Sequence, residues 1–294
     1  MRAFAWFIGL IGVGFIGMAL LSYPAWVVVH PHVDAPFHRI ASRIGMITLL
    51  IGFVLIARRL QLNDRTSLGY GIPRPLFLRE MGLGFAISSI TMLPLIGVMV
   101  GLDLRDWKGG VAPDAGVFAG LVFEGVLRGF AVALIEETFL RGAMFTGIAR
   151  ESGTKLAILL TALLYASTHF FARYRVAAED VSSSSGFDMV AGVLHTFSDP
   201  LFIADAFLAL FAVGVVLGIV RARTGNIAAC IGLHAGWVFI ITFVRETSMP
   251  REGAKLGWML SEFDGVVGWL LLVGVIGIGV QLSMFYKKRA SVVR

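Results

Sequence analysis

The sequence predicts an all-α fold, a polytopic transmembrane helix bundle of about eight spans. Three observations carry that class. Hydrophobic residues make up 57% of the 294-residue chain and charged residues only 15%. The mean hydropathy is +0.83. This is the composition of a membrane protein. Long apolar runs recur from end to end, several reaching the ~20 residues that cross a hydrocarbon core. Between them lies no low-complexity tail and no stretch with the composition of a soluble domain.

The spans are read in order. The first, 3–29, is too long for the roughly 7–15-residue apolar region of a signal peptide and is not closed by a clean small-residue cleavage site. It is read as a retained span. The second, 44–57, is short and is expected to extend into its flanking loops. The third is 81–102. The fourth, 116–149, would outrun the bilayer at about 1.5 Å per residue, so it is tilted, broken near Gly129 or partly interfacial. The remaining spans are 155–171, 201–220, 226–244 and 264–286. Gly9, Gly12, Gly14 and Gly17 in the first span, and Gly274, Gly277 and Gly279 in the last, suit close helix packing.

The longest non-spanning stretch, 172–200, holds Ser182–Ser185 in a row with Glu179, Asp180 and Asp188. A connection of this length is either disordered or a flexible lid. No internal repeat is evident, which weakens a transporter reading. The expected organisation is an N-terminal helix group at 1–115, a core at 116–246, and a loop, last helix and basic tail at 247–294.

The net charge of +6 is scattered over short loops, so no nucleic-acid partner is expected. With the N-terminus placed inside, fourteen Lys and Arg fall in inside segments and nine in outside ones. The bias puts both termini in the cytoplasm. Cys230, the single cysteine, permits no internal disulfide and reads as a small buried apolar residue.

Against this apolar background one run stands out: Glu136-Glu137-Thr-Phe-Leu-Arg141. A charge near the centre of a span costs roughly 2.5–3.5 kcal/mol, and three within six residues point to chemistry. Glu137 and Arg141 are four apart and share a helix face, so they can pair. Glu136 points about 100° away, free to face a pocket. His169 ends Tyr165-Ala-Ser-Thr-His169, and His234 lies in Ile231-Gly-Leu-His-Ala-Gly-Trp237. Measured from the cytoplasmic helix ends, Glu136, His169 and His234 lie roughly 21, 21 and 17 Å deep. A carboxylate and two imidazoles in one layer can converge. A carboxylate in an apolar pocket is suited to exchange protons with water and a leaving amine. The histidines would position that water, polarise a carbonyl or bind a metal.

Other polar groups have blander readings. Glu124 and Arg128, four apart, read as an internal ion pair or as the lining of an entrance. His195 in the long loop reads as solvated. His30, His32 and His38 read as a solvated interfacial cluster rather than a metal site.

Glu-Glu-x-x-x-Arg, an aromatic-x-x-x-His, and a third helix bearing a His, in this order, resemble the CPBP family of intramembrane proteases. This family is also called the CAAX-protease or Abi family, after type II CAAX prenyl endopeptidases and bacteriocin self-immunity proteins. The resemblance covers about 116–244, and Thr224-Gly-Asn-Ile-Ala-Ala-Cys-Ile-Gly-Leu-His234 is similar to the family's lead into its last histidine. It implies a peptidase acting on a membrane-associated or hydrophobic peptide in the lipid bilayer. The implied location is a multi-pass protein of a bacterial inner membrane. Glu136 would be the general base, Glu137 and Arg141 its support, and His169 and His234 the holders of water and oxyanion. The family is also described as metal-dependent, so Zn²⁺ on Glu136, His169 and His234 is a chemically reasonable cofactor, though the compact His-Glu-x-x-His arrangement is lacking.

Two positions depart from the family pattern. Tyr165 stands where Phe is usual, and Val238 stands where an Asn usually follows the last histidine by four. Losing an oxyanion donor costs about 2.7–4 kcal/mol in the transition state. Thr242, Tyr165 and Asn226 are candidate substitutes. Two alternatives remain beside the peptidase: a catalytically impaired binding or immunity factor, and a proton-coupled transporter.

Overall fold

The computed structural model describes residues 1–171 and 174–292; Arg173 and Arg294, counted among the loop charges, lie outside this range. The helices are α1 (Arg2–Val29), α2 (Phe37–Arg59), α3 (Arg74–Gly101), α4 (Ala115–Glu137), α5 (Phe145–Ser152), α6 (Thr154–Thr168), α7 (Ser185–Thr196), α8 (Pro200–Thr224), α9 (Ala228–Thr247) and α10 (Trp269–Val292). Seven helices among the described residues are long and apolar enough to cross a membrane, counting α4 through α5 as one helix, Ala115–Ser152. The protein is an integral membrane protein of the expected all-α class. The remaining expected span, 155–171, corresponds to α6, whose 15 residues rise only about 22 Å.

The long fourth span departs from a plain α-helix, but not at Gly129. Between α4 and α5, Thr138–Met144 forms a π-helical stretch, so the 38 residues run on as one helix. The 172–200 stretch also differs from expectation. Its described part contains α7, whose Met189 and Val193 lie buried one turn apart.

The chain divides into two compact units, Met1–Asn63 with Ser167–Pro200, and Asp64–Ala166 with Leu201–Arg294. In the first, α1, α2 and α7 bury Met18, Phe37, Ala41 and Met189, flanked by Phe15, Tyr23 and Trp26. Gly14 and Gly17 lie against Leu49 and Thr48 of α2, whereas Gly9 and Gly12 face open space.

In the second unit α9 is the central helix, and 67% of its apolar window is buried. Two close approaches seat it. A Cβ on Gly232 would stand 2.0 Å from the Met81 carbonyl of α3, and one on Gly129 of α4 would stand 2.5 Å from the Ala235 carbonyl. Only glycine permits such contacts. Asn226 starts α9: its Oδ1 accepts the Ala228 N–H at 3.0 Å, and its Nδ2 donates to the Thr224 carbonyl at 2.9 Å. Asp114 likewise caps α4 by accepting the N–H groups of Gly116 and Val117. A short antiparallel pair, β1 (Arg105–Trp107) and β2 (Ser248–Pro250), joins the α3–α4 connection to the end of α9, with Asp106 opposite Met249.

Candidate active site

Glu137 and Arg141 are both fully buried, and Arg141 is the largest fully buried side chain among the described residues. Arg141 Nη1 donates to Glu137 Oε1 at 2.9 Å, and its Nη2 donates to the Gly214 carbonyl of α8 at 3.2 Å. The guanidinium also lies over the Tyr165 ring, 4.7 Å from its centroid. A buried charge pair of this kind adds little net stability, but breaking it leaves an uncompensated charge and costs about 3–5 kcal/mol.

His234 completes the cluster from α9. Its Nδ1 lies 2.9 Å from Glu137 Oε1, the oxygen that also receives Arg141. A carboxylate paired with arginine is an acceptor, so Nδ1 carries the proton and donates it. With the proton on Nδ1, an uncharged ring has its free lone pair on Nε2. That nitrogen lies 4.0 Å from Glu136 Oε2 and 3.4 Å from the Tyr165 hydroxyl.

Glu136 differs from its neighbour. Its side chain is 32% exposed, yet its Oε2 is buried with no hydrogen-bond partner. Adjacent carboxylates thus have different surroundings. Glu137 is fully buried in an ion pair, although its Oε2 is unpartnered too, while Glu136 has its unpartnered oxygen 4.0 Å from His234 Nε2 and a partly exposed side chain.

Of the residues singled out in the sequence, Glu136, Glu137, Arg141 and His234 lie together in the second unit. His169 belongs to the first unit, half-buried in the turn after α6. Among the described residues no group of three or more His, Cys, Asp or Glu converges as a metal site. No metal enters the reaction proposed for this site. Glu124 and Arg128 pair at 2.5 Å, but at the surface rather than internally, with side chains 51% and 52% exposed and Glu246 3.8 Å from Arg128.

Three candidate donors could replace the amide that Val238 lacks, and geometry separates them. Asn226 is committed at both ends of its amide to the start of α9. Thr242 lies eight residues beyond His234, about 12 Å along the helix. Tyr165 has its hydroxyl at His234 Nε2.

Fold and site together define an integral membrane protein with a buried Glu–Arg–His cluster at the core of its helix bundle. The comparison with known families narrows this class. Residues 118–240 match the family model described as type II CAAX prenyl endopeptidase Rce1-like, so this segment is similar to that family. The matched segment contains both glutamates, Arg141, Tyr165, His169 and His234. No curated protein and no solved structure matches the chain.

Proposed function

We propose that the protein is an intramembrane endopeptidase that hydrolyses a peptide bond of a membrane-associated or hydrophobic peptide with a glutamate-activated water. One observation carries this reading: the buried, unpartnered Oε2 of Glu136 beside His234 Nε2. A water seated between the two would hydrogen-bond both. Glu136 takes its proton as the water oxygen attacks the carbonyl carbon. The resulting oxyanion accepts the Tyr165 O–H, and Glu136 then returns the proton to the amine nitrogen as the C–N bond breaks. Glu137 holds His234 in one tautomer, and Arg141 holds Glu137.

The test compares membrane-protein N- and C-termini by mass spectrometry in cells carrying wild type or Glu136→Gln. A general base contributes about 10²- to 10⁴-fold, so specific termini should vanish in the variant and identify the substrate. Val238 favours a second reading, a binding or immunity factor of the same fold. That reading leads if the termini are unchanged and the variant still rescues a null phenotype. Proton-coupled flux in proteoliposomes would instead favour a transporter.

A further inference from the structure

The π-helical stretch Thr138–Met144 begins directly after Glu136 and Glu137 and contains Arg141, and its ladder contains a displaced bond. The Phe145 N–H reaches back to the carbonyls of Leu140 and Gly142 rather than to Arg141, its partner in a regular α-helix. The Arg141 carbonyl instead accepts the Nε–H of Arg221, from α8, at 2.9 Å. Arg221 is only 8% exposed. Its Nη2 donates to Thr146 Oγ1 at 3.3 Å, and its guanidinium packs over the Phe145 ring, 5.4 Å from the centroid. One side chain therefore contacts three residues at the exit of the stretch.

The opposite flank is braced by Asp64–Tyr70, the segment preceding α3. Thr146 Oγ1 donates to the Ser67 carbonyl at 2.8 Å, and Arg150 Nη2 donates to Ser67 Oγ at 2.7 Å. A Cβ on Gly142 would meet the Leu68 carbonyl at 2.7 Å. The Tyr70 hydroxyl lies 2.6 Å from Thr138 Oγ1, which itself donates to the Leu134 carbonyl. Burial pushes the Tyr70 phenol up, so its proton stays in place at neutral pH. π-Helical turns often occur at functional sites, where the extra residue resets the faces on either side.

We propose that Arg221 is a positioning residue: by holding the Arg141 carbonyl it maintains the π-helical turn that aims Glu136 and Glu137 at His234. The proposal deepens the peptidase reading and rests on it only for the effect on cleavage. The geometry itself is testable without substrate.

The experiment uses the full chain in detergent as wild type, Arg221→Gln and Arg221→Lys. Hydrogen exchange by mass spectrometry follows amides 142–146. N,N′-dicyclohexylcarbodiimide, which reacts with carboxyl groups in apolar surroundings, is applied at one fixed pH and its adduct at Glu136 quantified. A charge-assisted hydrogen bond corresponds to roughly 10- to 100-fold, so exchange at 142–146 should quicken by that factor in Arg221→Gln. The extent of labelling at Glu136 should differ clearly from wild type in Arg221→Gln. Arg221→Lys keeps length and charge without the fork and should lie between. Folded variants with wild-type exchange and unchanged labelling at Glu136 overturn the proposal. If Arg221→Gln aggregates, Arg221→Lys decides by the same two readouts, and wild-type values there are equally fatal. If both readouts move while wild type yields no Glu136-dependent termini, positioning stands and the peptidase reading fails.

Discussion

His234 Nδ1 and Glu137 Oε1 are 2.9 Å apart, and Arg141 Nη1 reaches the same oxygen at 2.9 Å. One carboxylate oxygen therefore serves a cation on its own helix and an imidazole on α9. This arrangement ties the charge balance of the core to the orientation of His234 Nε2.

Breaking that triangle from one side should be worse than removing the ion pair altogether. Glu137→Leu and Arg141→Met, made singly, should each lower stability by about 3–5 kcal/mol, while the double variant should lose clearly less. Thermal unfolding of the purified variants in one detergent measures this. Additive losses would show that the two charges are not coupled.

Tyr165→Phe keeps the ring under Arg141 and removes only the hydroxyl. Cleavage should fall about 10²- to 10³-fold with little change in substrate affinity or stability. Adding Val238→Asn, which restores the amide that the family resemblance puts there, should recover part of the rate. Equal rates for wild type and Tyr165→Phe would remove the phenol from the reaction.

Gly232→Ala drives a methyl into the Met81 carbonyl and should destabilise the α3–α9 contact by roughly 1–3 kcal/mol. Gly82→Ala, on α3 where a Cβ meets nothing within 4 Å, should be neutral or stabilising by up to about 1 kcal/mol. Denaturation of the two proteins side by side distinguishes them, and an equal loss would contradict the packing described for α9.

The turn that braces the π-helical stretch should weaken in acid. Ser67 donates to Asp64 from both its hydroxyl and its backbone N–H, and these bonds hold the exposed Asp64 carboxyl below its ordinary value. A depressed folded-state pKa means the stabilisation is complete above the unfolded value of about 3.9 and is lost as pH falls through the folded value. Hydrogen exchange at Ser67–Tyr70 should therefore lose extra protection, relative to other amides, on going from pH 6 to pH 3. Asp64→Asn should abolish that extra loss; the same pH response in the variant would assign it elsewhere.

Much of the architecture was legible because span formation is a property of each segment taken alone. Transfer of some 20 apolar residues from water to hydrocarbon decides it, and seven helices follow runs visible in the sequence. The Glu137–Arg141 pairing was also legible, since residues four apart on a helix are neighbours whatever surrounds them. The packing of Gly274 against Leu95 and Gly279 against Val216 accords with the reading of the last span, while Gly277 meets nothing. Spacing alone does not say which face of a span meets protein and which meets lipid.

The sequence by itself determined the all-α membrane class and the order of the spans. It also marked the segment in which acid, arginine and histidine motifs succeed one another. The tertiary structure decided what depends on distant partners. It placed the irregular turn at Thr138–Met144 rather than near Gly129 and left Glu124 and Arg128 on the surface. It seated Tyr165 rather than Asn226 beside His234. It also brought Arg221 to a carbonyl 80 positions away. The physical reason is the same in each case. Burial of a segment follows from its own composition, whereas a hydrogen bond or a buried charge requires a partner that only helix docking can deliver.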